Sequence, residues 1–120
     1  MKHYYRLWIP TDNRLETFNS ISEILGILPD NSEEESNYNT WIYTKEQKET
    51  EAYFDFINEF LDLLEPNFSK LQALGISRND ISIWKLYGYT QQCNMEFDSQ
   101  RLKRFGDNGI TLCISCWEEN

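Results

Sequence analysis

Two cysteines near the C-terminus, Cys113 and Cys116, have the C-x-x-C spacing found in redox pairs and zinc sites. A redox pair of this spacing normally opens a helix, whose first backbone N–H groups favour the thiolate form. Here the pair follows Gly109 in the run ITLCISCW, whose alternating β-branched residues predict a strand. Because side chains alternate along a strand, the two sulfurs are expected on opposite faces of a sheet, where they can neither bond to each other nor share a metal ion. The motif is therefore interpreted as part of a strand, and no metal site or cofactor is predicted.

Few other residues have the chemistry of a catalytic centre. His3 is the only histidine, and its position near the N-terminus disfavours Ser/His and Cys/His arrangements. Neither of the glycine-rich phosphate-binding motifs, G-x-x-x-x-G-K-[ST] and G-x-G-x-x-G, occurs. The chain is therefore predicted to have no enzymatic activity. One alternative stays open, a carboxylate-dependent hydrolase that binds a metal ion, because acidic residues are numerous and the sequence does not show which of them meet in a cleft.

The charge of the chain excludes some classes of partner. Its net charge is −9, and residues 23–65 alone contain twelve acidic residues against two lysines, a balance of −10. Duplex nucleic acids and anionic membrane surfaces attract clustered Lys and Arg, so neither is predicted as a partner. No apolar stretch approaches the roughly 20 residues of a membrane span, and no secretory signal is recognisable. Together with three cysteines, an odd number that suits free thiols, this predicts a cytoplasmic location.

Hydrophobic periodicity predicts eight elements in the order β-α-β-α-α-β-α-β. Residues alternate in the runs YYRLWIP, YNTWIYT, DISIWKLYGY and ITLCISCW, which is typical of strands. Apolar residues recur at helical spacing in FNSISEILGI, with an N-cap near Thr17 or Ser20, and in TEAYFDFINEFLDLLEP, PNFSKLQALG and SQRLKRF. This order predicts a single α+β domain over residues 1–120, a two-layer sandwich of about four mostly antiparallel strands with helices on one face. A mixed or parallel sheet is the competing arrangement.

Each predicted strand contains one tryptophan. The tryptophan shares its face with polar or aromatic residues, whereas the opposite face is more aliphatic, as at Leu7, Ile42 and Ile83. Helices are therefore expected on the aliphatic face, and the other face is expected to carry Arg6, Trp8, Trp41, Tyr43, Trp84 and Trp117. Two interpretations stay open for this aromatic face. Either a helix or loop covers it and it belongs to the core, or it binds a partner, a ligand or a second copy of the chain in a homodimer.

A second candidate surface lies on the predicted long helix. Four acidic residues follow a spacing of i, i+4, i+8 and i+11 and are expected to form one stripe: Glu51, Asp55, Glu59 and Asp62. Such a stripe is typical of a solvated helix face. Alternatively, it attracts a basic protein partner, with Glu33, Glu34 and Glu35 of the preceding acidic loop adding charge, or it binds a divalent metal ion.

Several motifs occur in an order that resembles a known family. They are the strand YYRLWIP, the segment ISEILGILPD with an I-x-x-x-L-G-I-x-P pattern from Ile21 to Pro29, the strand TWIYT, the helical run FINEFLDLLEPNFSKLQAL and the final SQRLKRFGDNGITLCISCW. In this order the sequence is similar, over nearly its whole length, to the uncharacterised bacterial family called domain of unknown function 4279. The resemblance implies no assigned catalytic residue. It leads us to expect glycine and basic residues after Pro29, where this chain instead has Glu33 to Glu35.

Together these features predict a small acidic protein that binds another macromolecule. A toxin-neutralising, immunity-type role is one concrete form, because many toxins that act on nucleic acids are basic and charge complementarity speeds association. Asp55, Glu59 and Asp62 would supply the charge, and Trp or Tyr residues the apolar anchors. The alternative is a small-molecule-binding domain that uses the aromatic face of the sheet.

Overall fold

The structure, a computed structural model, describes residues 2–30 and 38–119. The described chain contains the strands β1 (His3–Pro10), β2 (Thr40–Gln47), β3 (Ser82–Tyr89) and β4 (Thr111–Glu118). Its α-helices are α1 (Leu15–Leu25), α2 (Phe56–Leu64), α3 (Phe68–Ala73) and α4 (Ser99–Asp107). Short 3-10 turns at Glu65–Asn67 and Arg78–Asp80 follow α2 and precede β3. The order of strands and α-helices is the predicted one.

The four strands form one mixed sheet in the order β2-β1-β3-β4. β1 is antiparallel to both of its neighbours, β2 and β3, whereas β3 and β4 are parallel. The predicted α+β fold is thus confirmed. The sheet is mostly antiparallel, as predicted, because two of the three pairings are antiparallel, and its one parallel pairing makes it mixed, which is part of the competing arrangement. The parallel pair is connected through α4, because a tight turn is too short to join the end of one strand to the start of a parallel neighbour.

The helices contribute to a hydrophobic core on one face of the sheet. On this face the register places Leu7 opposite Ile83, and neither side chain is accessible to solvent. Each helix adds apolar side chains to the same core, among them Phe18 from α1, Phe60 from α2, Leu71 from α3 and Phe105 from α4. The helices therefore form a second layer over this face, which we call the helix side. The opposite face of the sheet is called the open face.

The first helix begins before the cap predicted at Ser20. The Asp12 carboxylate accepts hydrogen bonds from the Arg14 backbone N–H and from the Thr17 hydroxyl, each at 3.1 Å. These bonds order the chain at the start of α1. The N-cap is Arg14, so both candidate N-caps, Thr17 and Ser20, lie within the helix and are wrong. The helix ends at Gly26, whose φ of 71° is the left-handed C-cap conformation that favours glycine.

The predicted long helix is shorter at its N-terminus than expected. α2 begins at Phe56, and the N-cap Asp55 accepts a hydrogen bond from the Asn58 backbone N–H at 3.4 Å. Glu51 therefore lies outside the helix, and its assignment to a helical stripe is wrong. Pro66 lies in the 3-10 turn between α2 and α3, since proline cannot donate the hydrogen bond that a helix interior requires.

Two further predictions concern membranes and the acidic loop. None of the described helices has the length and apolar character needed to cross a membrane. Glu33, Glu34 and Glu35 lie outside the described residues. The contribution of that loop to a charged surface therefore stays a prediction.

Candidate functional site

The two C-x-x-C cysteines lie on opposite faces of β4, as predicted. Cys113 is aligned with Trp84 on the open face, and Cys116 is aligned with Tyr87 on the helix side. Their thiols therefore cannot bond to each other. Within residues 2–30 and 38–119, no three His, Cys, Asp or Glu side chains are grouped closely enough to hold a metal ion.

Two members of the predicted aromatic face lie on the other side of the sheet. The register aligns Trp41 with Ile9 and Tyr43 with Leu7, which places both residues on the helix side. Trp41 is fully buried, and its indole N–H donates to the Ser22 hydroxyl of α1 at 3.0 Å. The assignment of Trp41 and Tyr43 to the aromatic face is therefore wrong. β2 has apolar side chains on both faces, so its alternation alone does not show which face the helices cover.

The open face carries the other four predicted residues, Arg6, Trp8, Trp84 and Trp117. Its tryptophans do not belong to the core, and the described helices pack on the opposite side. The rings of Trp8 and Trp84 stack across β1 and β3, with centroids 5.4 Å apart and planes inclined by 25°. Trp117, on the edge strand β4, is 36% exposed. We call Trp8 and Trp84 the tryptophan pair.

Hydrogen bonds hold the polar groups beside the tryptophan pair. The indole N–H of Trp84 donates to the Ser82 hydroxyl at 2.9 Å. Nε of Arg6 donates to the Thr44 hydroxyl at 3.0 Å, and Arg6 lies opposite Trp84 in the strand pairing. The guanidinium is thus held next to the tryptophan pair, and Trp and Arg are two of the residue types enriched at binding hot spots.

Acidic side chains lie at the margins of the open face. Glu46 projects on this side of β2. At the outer edge of β2, the Asp30 carboxylate accepts hydrogen bonds from the Thr44 backbone N–H at 2.8 Å and from the Thr44 hydroxyl. Near the end of β4, the Glu119 carboxylate occupies the space that a side chain at Gly88 would need. The tryptophan pair is therefore flanked by negative charge, with Arg6 between the two margins.

The acidic residues predicted as one stripe do not form a continuous surface. Glu51 lies in the turn after β2, accepts a hydrogen bond from the Lys48 backbone N–H at 3.0 Å and pairs with Lys45 at 3.9 Å. Glu59 is exposed in the first turn of α2. The prediction of a single stripe from Glu51 to Asp62 is therefore wrong, because Glu51 precedes the helix.

Arginines of α4 pair with the two remaining carboxylates. Asp55 accepts hydrogen bonds from Nε and Nη2 of Arg101 at 3.0 and 2.8 Å, and Asp62 accepts one from Nη2 of Arg104 at 2.7 Å. The hydrogen bond from Arg101 is the main reason that the pKa of Asp55 lies below its usual value. Hydrogen bonds from Asn58 lower this pKa further, whereas partial burial raises it. Asp55 and Asp62 therefore hold α4 against α2, and their charges are neutralised within the chain.

Lys85 is a potential functional residue that the sequence analysis missed. It lies on the helix side of β3, and only 8% of its surface is exposed. Its Nζ is 5.0 Å from the ring centroid of Tyr5 and between 5.7 and 6.0 Å from the centroids of Tyr53, Phe56 and Tyr87. Among the described ion pairs, none joins this ammonium group to a carboxylate. The available signal was a lysine in the apolar alternation of Ile81, Ile83 and Tyr87.

A cavity of about 190 Å³ opens beside Lys85, and its lining includes His3, Tyr53, Met95 and Phe97. Burial lowers the pKa of Lys85, although the neighbouring Cys116 thiol acts in the opposite direction. Burial also lowers the pKa of the His3 imidazole, and the charge of Lys85 adds to this effect. Glu96 also lines this cavity, together with the Lys85 ammonium group and the aromatic walls. The ammonium group and the rings suit a small molecule with an anionic group and a flat apolar body.

No protein-family model, curated protein or solved structure matches this sequence. Membership of the family that its motifs resemble therefore stays a prediction. The geometry of the chain itself is the basis for assigning a function.

Proposed function

We propose that this chain is a cytoplasmic, non-enzymatic protein-interaction module that binds a basic protein through the open face of its sheet. The observation that supports this most directly is the stacked tryptophan pair, which lies outside the core. A two-layer sandwich needs one covered sheet face to build its core, so the second face is available for contact.

The residues of the open face are typical of a binding surface. Tryptophan offers a large apolar area, and Trp and Arg are enriched among residues that dominate binding energy. Stacking and hydrogen bonds already hold Trp8, Trp84 and Arg6 in place. Little side-chain ordering is therefore needed on binding, which lowers the entropic cost of association.

The charge around the open face favours a basic partner. Asp30, Glu46 and Glu119 lie at its margins, and the whole chain has a net charge of −9. Such complementarity speeds association and discriminates against acidic proteins. A toxin-neutralising, immunity-type role is one concrete form of this function. Its apolar anchors would then be Trp8 and Trp84. Its charge would come from the margins of the open face, because Asp55 and Asp62 are paired with arginines of α4.

Capture of partners from cells of the source organism tests this proposal. Tagged wild-type protein and the variants Trp84→Ser and Leu102→Ser are compared at low and high salt, and the bound proteins are identified by mass spectrometry. Leu102 is the matched control because it is 44% exposed but lies on α4, in the helix layer. We expect wild type and Leu102→Ser to retain a basic protein at low salt and to lose it at high salt. Trp84→Ser should lose it under both conditions.

The outcomes distinguish this proposal from its alternatives. Circular dichroism first establishes that both variants are folded. If folded Trp84→Ser retains the partner as well as Leu102→Ser does, the open face is not the contact surface. If the captured material contains only further copies of the tagged chain, homodimerisation replaces binding of a basic protein.

A second candidate function, small-molecule binding, is favoured by the cavity beside Lys85 on the helix side. A benzoate titration followed by thermal unfolding tests this function, since benzoate has the anionic group and flat ring that the cavity suits. We expect benzoate to raise the Tm of the wild type and of Lys103→Met, whose lysine is on the surface, but not that of Lys85→Met. A wild-type Tm that is independent of benzoate would reject a site for aromatic carboxylates.

A further inference from the structure

Two cysteines that are far apart in the sequence meet at the edge of the sheet. Cys93 lies between β3 and α4, 23 positions before Cys116 of β4, and their sulfur atoms are 2.8 Å apart. This distance is only about 0.8 Å longer than a disulfide bond. Both residues are exposed to solvent, so a small reagent can reach them. Cys113, the third cysteine, is on the opposite face of the sheet.

The chemistry of the pair favours a disulfide over a metal site. Two thiolates alone leave a zinc ion without the further ligands that it requires. Over residues 2–30 and 38–119, no group of three or more potential ligands includes these cysteines. Two adjacent, accessible thiols are instead the arrangement that oxidises to an intramolecular disulfide.

We propose that Cys93 and Cys116 form a thiol–disulfide exchange site that is oxidised by low-molecular-weight disulfides. One cysteine thiolate attacks a sulfur of the disulfide RSSR, which forms a mixed disulfide with the protein and releases one RS⁻. The second cysteine, as thiolate, attacks the protein sulfur of that mixed disulfide and releases the other RS⁻. The two protein thiols lose two electrons and two protons, and RSSR is reduced to two RSH.

The disulfide links the segment before α4, which contains Cys93, to β4, which contains Cys116. Along the chain these two parts are connected through α4. The segment that contains Cys93 also provides Phe97, whose ring packs against Phe56 of α2 at 6.0 Å between centroids. It then provides Asp98, the N-cap of α4, which accepts a hydrogen bond from the Arg101 backbone N–H at 3.2 Å. Oxidation therefore fixes the residues before α4 against β4, including the part that lines the cavity beside Lys85.

The surroundings of Cys116 predict how the exchange rate depends on pH. Its hydrogen bond with Cys93 is the main reason that the pKa of Cys116 lies above the ordinary value of 9.0, and burial adds to this, whereas the charge of Lys85 opposes it. Because the thiolate is the attacking species, the rate of oxidation is expected to rise as the pH increases toward and beyond 9.0.

Incubation with oxidised glutathione tests the site directly. The wild type has three cysteines, and the expected result is that two of its thiols become unreactive while the intact mass falls by two hydrogen atoms. Peptide mapping should find Cys93 linked to Cys116. The control Cys113→Ser should form the same link, whereas Cys93→Ser and Cys116→Ser should form only mixed disulfides with glutathione. Oxidised wild type should also unfold at a Tm higher by roughly 5–10 °C.

Other results would overturn the proposal. Three thiols that stay reactive in the wild type at alkaline pH would show that the pair does not exchange. A link that includes Cys113, or a disulfide found only between two chains on a non-reducing gel, would show that Cys93 and Cys116 are not the exchange site. Mapping of the wild type decides the question even if a serine variant does not fold.

Discussion

Lys85 places an ammonium group among four aromatic rings on the helix side of the sheet. Ring faces stabilise such a cation by about 0.5–2 kcal/mol. Removal from water disfavours the charged form more strongly, and burial is the main reason that the pKa of Lys85 is lowered. The folded chain therefore binds this proton less tightly than the unfolded chain, so burial of the charge opposes folding.

Replacement of Lys85 by methionine is expected to stabilise the protein by about 1 kcal/mol near neutral pH, because an apolar side chain of similar length carries no desolvation cost. The cost of the buried charge is fully present below the lowered pKa and is relieved as the pH rises from there toward 10.5. The gain from Lys85→Met should therefore shrink at alkaline pH. Urea unfolding of the wild type and of Lys85→Met at about pH 7 and about pH 10 measures the gain in the free energy of unfolding at each pH.

Lys103→Met is the matched control for this substitution. Its lysine is exposed and pairs with Asp107 on the same helix, so its replacement should change the free energy of unfolding much less than Lys85→Met does at both values of pH. A destabilised Lys85→Met near neutral pH would instead show that the ring contacts outweigh the desolvation of the charge.

At the scale of elements, charged side chains connect α4 to α2. Arg101 forms two hydrogen bonds with Asp55, and Arg104 donates to Asn58 at 2.8 Å and to Asp62 at 2.7 Å. Asp55 has a second role, because its side chain caps α2. The lowered pKa of Asp55 means that its contribution to stability is fully present above the ordinary value of 3.8 and is lost as the pH falls through the lowered pKa.

A double-mutant cycle on Asp55→Asn and Arg101→Met measures this connection. Asparagine retains the N-cap and removes the charge, so the coupling free energy reports the ion pair. We expect about 1 kcal/mol at neutral pH, because the pair is bidentate and partly buried, and no coupling once Asp55 is protonated. The exposed pair of Lys103 and Asp107 is the control and should couple more weakly than Asp55 and Arg101. Equal coupling in the two pairs would contradict a clamping role for Arg101.

The sequence predicts the elements of this fold better than their contacts. Alternation around Leu7 and Ile83 predicts two of the strands, because one face of each is apolar. The same logic fails on β2, an edge strand with apolar residues on both faces, where the pairing with β1 decides that Trp41 is buried. Pairing of Arg101 with Asp55, 46 positions earlier, arises only when the sheet brings α4 beside α2. The prediction of an acidic stripe is wrong because Glu51 precedes α2, and the sequence does not show that Asp55 and Asp62 pair with arginines that are distant in sequence.

Fluorescence quenching tests the two faces of the sheet separately. In variants that retain a single tryptophan, with phenylalanine at the other three positions, acrylamide should quench Trp84 several-fold more efficiently than Trp41. Trp41 is fully buried, whereas Trp84 is partly exposed on the open face. Both residues should be quenched equally after unfolding in urea. Equal quenching in the folded proteins would mean that β2 does not pair with β1 in the register that aligns Trp41 with Ile9.

At the scale of the whole molecule, net charge distinguishes two possible occupants of the open face. Each chain has a charge of −9, so two copies repel each other, and acidic groups at the margins of the open face add to this repulsion locally. A basic partner is attracted by the same charges. Salt weakens both effects, since the screening length falls from about 10 Å at 0.1 M to about 3 Å at 1 M. Added salt should therefore promote a homodimer and dissociate a complex with a basic protein.

Sedimentation velocity across a salt series provides the measurement. We expect a single species near 14.4 kDa at low ionic strength, because the uncompensated charge opposes contact between two open faces. Any self-association should grow with salt and disappear in Trp84→Ser, while Leu102→Ser behaves as the wild type. A dimer that is stable at low salt and lost in Trp84→Ser would mean that apolar contact between two tryptophan pairs outweighs the repulsion. The open face would then be an interface between copies of this chain, and a basic partner would need a different surface.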